Sequence, residues 1–173
     1  NEMESHLPGT DGQAKMSKSV GNCIYLSDEP DSIKQKVMGM YTDPNHIKVT
    51  DPGKVEGNMV FTYLDVFAND SDFKKYLPEY KNLSELKNKY REGGLGDVTI
   101  KKFLNDILQE RLKPVREKRH ELENNIDYVY DILKKGTENA NKKANETLKD
   151  VKKAMQIDYF GDNEFLKEIK EKY

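Results

Sequence analysis

The feature that most constrains this chain is the recurrence of apolar residues at helical spacing over its last two-thirds. Spacings of three and four place side chains on one face of an α-helix, so each such stripe predicts an amphipathic helix. Pro114 lies inside the clearest stripe and is expected to kink that helix or to end it one turn earlier. This stripe consists of Ile100, Phe103, Leu104, Ile107, Leu108, Leu112 and Val115.

Helix-capping residues predict where the earlier helices begin and end. Ser27 or Asp28 can cap a first helix, and Pro30 suits its first turn. Asn58 can cap a second helix, and the pair Gly93 and Gly94 can end a third one. Residues 42–58 between the first two helices contain several turn sequences, which predict a long irregular link. The apolar run of residues 23–26 predicts one short strand.

A last long stripe runs from Ile126 to Met155, and Gly136 within it weakens the helix without having to break it. By period, Tyr130 faces the core with the stripe, whereas Tyr128 points elsewhere and can stack on a nucleobase. Four methionines are expected in the core or at its margin, namely Met38, Met40, Met59 and Met155. Residues 161–173 predict a charged tail with a short helix.

The predicted fold is therefore mostly α, a bundle of about five helices preceded by a loop and strand. Apolar and charged residues each make up 35% of the 173 residues, which favours long helices with solvated faces. The net charge of −2 excludes a global attraction to nucleic acid or to anionic membrane. No apolar run approaches membrane-spanning length, and the single cysteine fits a reducing compartment, so we expect a cytoplasmic protein without a membrane partner.

The candidate chemistry lies near the start of the chain, in the pentapeptide Lys15-Met16-Ser17-Lys18-Ser19. Two ammonium groups three positions apart on a loop can converge on one polyphosphate. Serine hydroxyls add hydrogen-bond donors, and neighbouring glycines allow the loop to move. Its role would be electrostatic, because it would neutralise charge that grows on a leaving pyrophosphate. Judged on residue types alone, a solvated loop is the simpler interpretation.

The full pentapeptide changes this balance, because a chance match in this chain is roughly one in ten thousand. It resembles the signature loop of class I aminoacyl-tRNA synthetases. Longer segments resemble the tryptophan branch of that family, and the resemblance extends from about residue 7 to about residue 160. These segments read LPGTDGQAKMSKSVGNCIYLSD, MGMYTDP, DPGKVEGNMVFTYLDVF, GGLGDVTIKKFLNDILQERLKPVREKR and GTENANKKANETLKDVKKAMQ.

The resemblance implies an enzyme that activates L-tryptophan with ATP and Mg²⁺ and transfers it to tRNA-Trp. The residues implied for ATP binding are Lys15, Met16, Ser17, Lys18 and Ser19. Lys15 and Lys18 are the implied catalytic residues, with Lys18 contacting the phosphates and Lys15 holding the loop closed. Met16 is expected to anchor the loop on the helical domain.

The sequence also departs from the family pattern. The second class I signature, His-Ile-Gly-His or a variant, is missing, as is the parallel-sheet half that binds the amino acid. We therefore expect a C-terminal fragment that does not turn over alone. Its expected parts are residues 1–28, the end of the Rossmann-type catalytic domain; residues 29–160, the helical anticodon-binding domain; and residues 161–173, the tail. The three widely spaced histidines, His6, His46 and His120, predict no metal site.

Two helical segments are basic. Residues 101–120 and 134–153 each carry seven Lys or Arg against three acids. A solubilising face is the simpler explanation, but two such helices can also form a groove for the tRNA backbone. The resemblance supports the groove, and Arg111, Arg116 and Arg119 are the candidate tRNA contacts.

Two alternatives to the tryptophan enzyme stay open. One is another class I synthetase, because a Gly-Asn pair after the pentapeptide also resembles the leucine, valine and methionine branches. The other is a non-catalytic helical RNA-binding module whose lysine loop only touches phosphate. The resemblance also implies that the whole enzyme is a homodimer, with dimer contacts mainly in the missing half.

Overall fold

The computed structural model describes residues 7–13, 15–159, 161 and 163–172, apart from the side chains of residues 163 and 165. Over these ranges the chain forms seven α-helices and no strand, which confirms the predicted mostly α fold. The helices are α1 (Pro30–Met38), α2 (Met59–Phe67), α3 (Asp70–Tyr76), α4 (Leu83–Glu92), α5 (Asp97–Glu123), α6 (Ile126–Ala154) and α7 (Asn163–Lys172).

The short strand predicted for residues 23–26 is wrong. Among the described residues, β pairing outside helices is confined to one antiparallel bridge between Pro8 and Lys15. A strand needs a neighbour that satisfies its backbone groups, and here a side chain replaces that neighbour, since the Asp28 carboxylate accepts the Tyr25 N–H at 2.8 Å. Within this run Cys23 is buried, at 6% exposed, whereas Leu26 is 66% exposed.

The first turn of α1 also differs in part from the prediction. Pro30 is confirmed in the first turn, but the N-cap is Glu29, whose side chain makes no capping hydrogen bond. The expected cap on Ser27 or Asp28 is therefore wrong. The Asp28 carboxylate accepts the Ser32 hydroxyl at 3.3 Å and pairs with Lys36, one turn further along the helix.

Asparagine side chains cap the next three helices. Asn58 accepts the Val60 N–H at 3.0 Å at the start of α2, as predicted. Asn69 opens α3 in a capping box with Asp72, and Asn82 opens α4. The sequence analysis missed α3, although an asparagine with an acidic residue three positions later, as in Asn69 and Asp72, is similar to the sequence mark of such a box.

The long helix α5 continues through Pro114 to Glu123, so the expectation that the proline ends it is wrong. A proline removes one backbone hydrogen bond at a cost of about 3 kcal/mol. Upstream, α5 is held by buried residues, and the Arg116 guanidinium donates to the Gln109 carbonyl at 3.4 Å beside the interrupted position. The buried upstream residues are Ile100, Phe103, Leu104, Ile107 and Leu108.

The core collects apolar side chains from the first five helices. Buried residues from α1 are Ile33 and Val37, to which the link between helices adds Met40. Larger side chains fill the centre, including Phe61, Tyr63, Leu64, Phe73, Leu86 and Tyr90. Each fully buried side chain of this size contributes about 1.5–3 kcal/mol. The expected positions of Met40 and Met59 in the core are confirmed.

The irregular link of residues 42–58 is confirmed and is held by Asp97, the first residue of α5. Its carboxylate accepts the Thr42 hydroxyl at 2.7 Å and the Tyr90 hydroxyl at 2.6 Å, and lies 2.9 Å from His46 Nδ1. Burial opposes ionisation of Asp97, but the hydrogen bonds from Tyr90, Thr42 and His46 outweigh it and lower the pKa of this carboxyl. One charged group thereby fixes the link against two helices.

Contacts divide the chain into two compact units, residues 1–120 and residues 121–173. In the second unit, the described residues of α6 are all exposed or half-buried. Tyr130 is 68% exposed and Met155 62% exposed, so the expected inward positions of both residues are wrong. The spacing of apolar residues identifies an apolar face on α6, but no described element covers that face. Gly136 leaves α6 unbroken, as predicted, and no helix in the described ranges is long and apolar enough to cross a membrane.

We predict that Asp97→Asn lowers the free energy of unfolding near neutral pH by about 2 kcal/mol, the scale of hydrogen bonds to a charged acceptor. Because folding lowers the pKa of Asp97, its contribution is fully present above the unfolded value of about 3.9 and is lost as the pH falls through the folded value. The difference between the two proteins should therefore shrink under acid. Urea unfolding followed by tyrosine circular dichroism at several pH values measures it.

Asp31→Asn is the matched control, since Asp31 lies exposed in the first turn of α1. Its loss should cost a few tenths of a kcal/mol, the usual value for a charge near a helix terminus. An Asp97→Asn deficit that stayed constant into acid would show that the ionised form of Asp97 has no special role.

Candidate phosphate-binding loop

The backbone of the predicted phosphate loop is organised by one buried amide, that of Asn22, which is 4% exposed. Its Oδ1 accepts the backbone N–H of Ser17 at 2.8 Å. Its Nδ2 lies 3.1 Å from both carboxylate oxygens of Asp11 and 3.5 Å from the Lys15 carbonyl. A single side chain therefore joins residues on both sides of Met16.

Gly9 makes room for this amide. A Cβ at Gly9 would lie 2.0 Å from Asn22 Nδ2 and 2.5 Å from its Cγ, distances that real atoms do not adopt. The backbone N–H of Thr10 next to it donates to the Asn22 carbonyl at 3.0 Å. Residues 9–11 and Asn22 thus form one closely packed base beneath the loop.

The base of the loop is tied to the helical core. The buried Tyr63 hydroxyl of α2 donates to the Pro8 carbonyl at 2.7 Å, and the Tyr41 N–H donates to the Thr10 carbonyl at 3.0 Å. Burial raises the pKa of Tyr63 to about 12, with smaller contributions from Cys23 and Asp11. Tyr63 therefore stays a hydroxyl donor at physiological pH, and its hydrogen bond to Pro8 fixes the base of the loop relative to α2.

Above this base, the charged side chains are free of the core. Lys15, Lys18 and Ser19 are exposed, while Met16 and Ser17 are half-buried. Met16 packs against the hydrophobic core. The hydroxyls of Ser17 and Ser19 lie 2.9 Å apart, so the structure brings these two predicted donors together.

A tight turn carries Lys18. The Gly21 N–H donates to the carbonyls of Ser17 and Lys18 at 3.2 and 3.3 Å, and Gly21 has a φ of +76° that favours glycine. Two ammonium groups and two hydroxyls thus project from a backbone held at Lys15 and Ser17. Such a group of donors can bind a polyphosphate, because phosphate oxygens are negatively charged and accept hydrogen bonds from ammonium and hydroxyl groups.

The predicted tRNA contacts lie on α5. The Arg111 guanidinium donates to both carboxylate oxygens of Asp72 at 3.0 and 2.9 Å. Arg116 is 8% exposed and donates to the Gln109 side chain at 3.2 Å. Arg119 is exposed. Arg111 and Arg116 therefore already take part in hydrogen bonds within the fold.

The histidines have partners of another kind. His46 Nδ1 lies on Asp97, and His120 Nε2 lies 3.2 Å from Glu29, while His6 lies outside the described residues. The described ranges contain no group of three or more His, Cys, Asp or Glu that could hold a metal ion.

Sequence reasoning missed Asn22 and Asp11, and it assigned Gly9 to loop movement, whereas Gly9 makes room for the Asn22 amide. It took the Gly-Asn pair after the pentapeptide only as a mark of family branch. The sequence signal that could have indicated a buried Asn22 is the apolar run that directly follows it.

Comparison with known proteins identifies the class. The family described as tRNA synthetases class I (W and Y) matches residues 3–113, so the chain belongs to that family. Its relatives are more specific: it is 60% identical over 154 residues to the tryptophan–tRNA ligase of Clostridium longisporum and 56% identical over 160 residues to that of Lactococcus lactis.

These matches cover 89% and 92% of this chain but 42% and 45% of the relatives. The chain thus spans less than half the length of the curated relatives it matches. The crystal structure of Campylobacter jejuni tryptophanyl-tRNA synthetase, complexed with ADP and tryptophan, is similar with a TM-score of 0.70 and 29% identity. That likeness covers 90% of this chain and 45% of the other.

We predict that Gly9→Ala lowers the free energy of unfolding by about 1–3 kcal/mol, the usual cost of forcing extra volume into a packed site. It should also remove hydrogen-exchange protection from the Ser17 amide, because Asn22 must leave its place. Gly39→Ala is the control, since Gly39 has a φ of −83° and an added Cβ would lie 3.4 Å from the nearest atom. Equal behaviour of the two variants would contradict the packed base.

Proposed function

We propose that this chain provides the phosphate-handling loop and the helical RNA-binding portion of a tryptophan–tRNA ligase. Such an enzyme joins L-tryptophan to tRNA-Trp with the consumption of ATP. The observation that carries the proposal is the loop itself, with Lys15 and Lys18 exposed above a backbone held by a buried amide. Relatives named tryptophan–tRNA ligase at 60% and 56% identity support tryptophan over the other branches.

In the proposed reaction, the carboxylate of tryptophan attacks the α-phosphate of ATP, and pyrophosphate leaves. Lys18 neutralises the negative charge that grows on the departing group, which stabilises the transition state more than the ground state. Lys15 pairs with the same phosphates and holds the loop over them. The hydroxyls of Ser17 and Ser19 donate to phosphate oxygens, and Met16 holds the loop against the core.

Mg²⁺ would enter with the nucleotide. The described residues contain no group of three or more His, Cys, Asp or Glu that could hold an ion, and the ammonium groups of the loop have no lone pair to offer a cation. We therefore assign Mg²⁺ to the phosphates of ATP and name no ligand for it among the described residues.

For tRNA, we propose that the exposed faces of α5 and α6 contact the backbone and the anticodon. Seven lysines in residues 134–153 lie on the exposed helix α6. Arg111 and Arg119 are both exposed, and Arg111 would have to share its guanidinium with Asp72. Arg116 would act by shaping the helix surface, because it is almost fully buried.

The proposed setting is the cytoplasm, where the free buried Cys23 would stay reduced. We propose a homodimer for the whole enzyme, with residues 1–28 ending the catalytic domain, residues 29–160 binding the anticodon and residues 161–173 forming the tail.

The catalytic part is tested in a chimera in which residues 1–173 replace the matching portion of the Clostridium longisporum ligase. We predict that Lys18→Ala lowers kcat for tryptophan-dependent pyrophosphate exchange by about 100-fold or more, the usual effect of removing one transition-state donor. Lys34→Ala, which removes an exposed lysine of α1, should leave kcat unchanged. An unchanged kcat in Lys18→Ala would contradict a catalytic loop and favour a non-catalytic RNA-binding module.

The RNA-binding part is tested with the chain as it stands. We predict that it binds tRNA-Trp more tightly than the same tRNA with a swapped anticodon, and that this preference persists when the salt concentration is raised. Base contacts give specificity, whereas phosphate contacts give affinity that falls with salt. Fluorescence anisotropy at two salt concentrations measures both. Equal affinities that fall together with salt would contradict anticodon recognition by this portion.

A further inference from the structure

We infer that Asn22 is the positioning residue of the phosphate loop and that Asp11 sets the orientation of its amide. This inference rests on the proposed function of the loop. It concerns residues outside the pentapeptide, and it explains how two lysines can be exposed and yet held in place.

The contacts of the Asn22 amide define what the position requires. Its oxygen accepts from the Ser17 N–H, and its nitrogen donates to Asp11 and to the Lys15 carbonyl. Only a group with both a donor and an acceptor can make these bonds together. Aspartate at this position would offer acceptors alone, and an apolar residue would leave the Ser17 N–H without this partner.

Asp11 decides which way the amide faces. An ionised carboxylate only accepts hydrogen bonds, so it selects the Nδ2 end of Asn22 and turns Oδ1 towards Ser17. Hydrogen bonds to a charged acceptor are also stronger than neutral ones. The carboxylate therefore fixes the amide, and the amide fixes the loop backbone on both sides of Met16.

The consequence is a loop that is rigid below and charged above. Holding the backbone at Lys15 and Ser17 limits where Lys15 and Lys18 can place their ammonium groups. Displacement of a catalytic group by about 1 Å can cost about 100-fold in rate. Asn22 is buried, and within the pentapeptide it hydrogen-bonds only to backbone groups of Lys15 and Ser17. It therefore acts by positioning the lysines and does not contact the substrate.

The test exchanges the two side chains. Asn22→Asp removes the donor and places a second carboxylate against Asp11, while Asp11→Asn removes the charge that orients the amide. In the double variant the new amide at position 11 can donate to the new carboxylate at position 22, which can still accept from Ser17. Each single variant should lower kcat for pyrophosphate exchange by about tenfold or more in the chimera. The double variant should recover part of this loss, because the bond from position 22 to the Lys15 carbonyl stays missing.

A second readout follows the geometry without activity. In the 173-residue chain, hydrogen exchange at the Ser17 amide should speed up in Asn22→Ala and in Asn22→Asp, and should slow again in the double variant. Asn45→Asp is the matched control, since Asn45 is exposed in the irregular link. It should change neither kcat nor the Ser17 amide.

The outcomes separate this inference from the proposed function. If Lys18→Ala abolishes exchange while the Asn22 and Asp11 variants keep full kcat, the function stands and the positioning role is overturned. If Lys18→Ala has no effect, the proposed function fails, and Ser17 exchange alone decides whether Asn22 fixes the loop. Loss in the single variants without recovery in the double variant, at normal Ser17 protection, would also overturn it.

Discussion

The hydrogen bonds of the buried Asn22 amide are the interaction on which the candidate site depends. A loop that must present charge cannot be held by apolar side chains on that same surface, because its charged side chains have to stay in water. In this protein, buried polar groups beneath the loop hold its backbone. The amide satisfies backbone groups of the loop, Asp11 orients the amide, and Gly9 gives it the space it needs.

The same design recurs in the irregular link of residues 42–58. This segment has few backbone hydrogen bonds of its own, so the half-buried carboxylate of Asp97 holds it in place of regular structure. Asp97 collects hydrogen bonds from Thr42 and Tyr90 and lies against His46. Tyr41, the neighbour of Thr42, binds the Thr10 carbonyl. The link therefore joins the start of α5 to the base of the loop through two adjacent residues.

Much of the fold could be predicted from the sequence, because apolar period and caps are local properties. Asn58, Pro30 and Gly93 are used as predicted, since each acts within a turn of its own position. The errors occur where distant contacts decide. Residues 23–26 have no strand partner. Helix α5 continues through Pro114 because its upstream half is packed. Tyr130 is exposed although its spacing predicts an inward position, since spacing does not show whether another element covers that face.

The sequence points only to the charged part of the candidate site. Lys15 and Lys18 are singled out because their pentapeptide resembles a known signature loop, whereas residue types alone favour a solvated loop. Asn22 and Asp11 come into hydrogen-bond contact only in the fold, because they lie 11 positions apart in the sequence. Position 9 shows the same limit, since its glycine is required by a side chain thirteen positions away and not by its own turn.

The most direct test of the account is a map of where pyrophosphate binds this chain. Amide chemical shifts would be recorded by NMR as inorganic pyrophosphate is added at millimolar concentrations. The account predicts that shifts concentrate at Lys15 to Gly21, because cations above a fixed backbone form one site there. Shifts spread equally over the lysines of α6, or none at the loop, would contradict the claim that the loop handles phosphate.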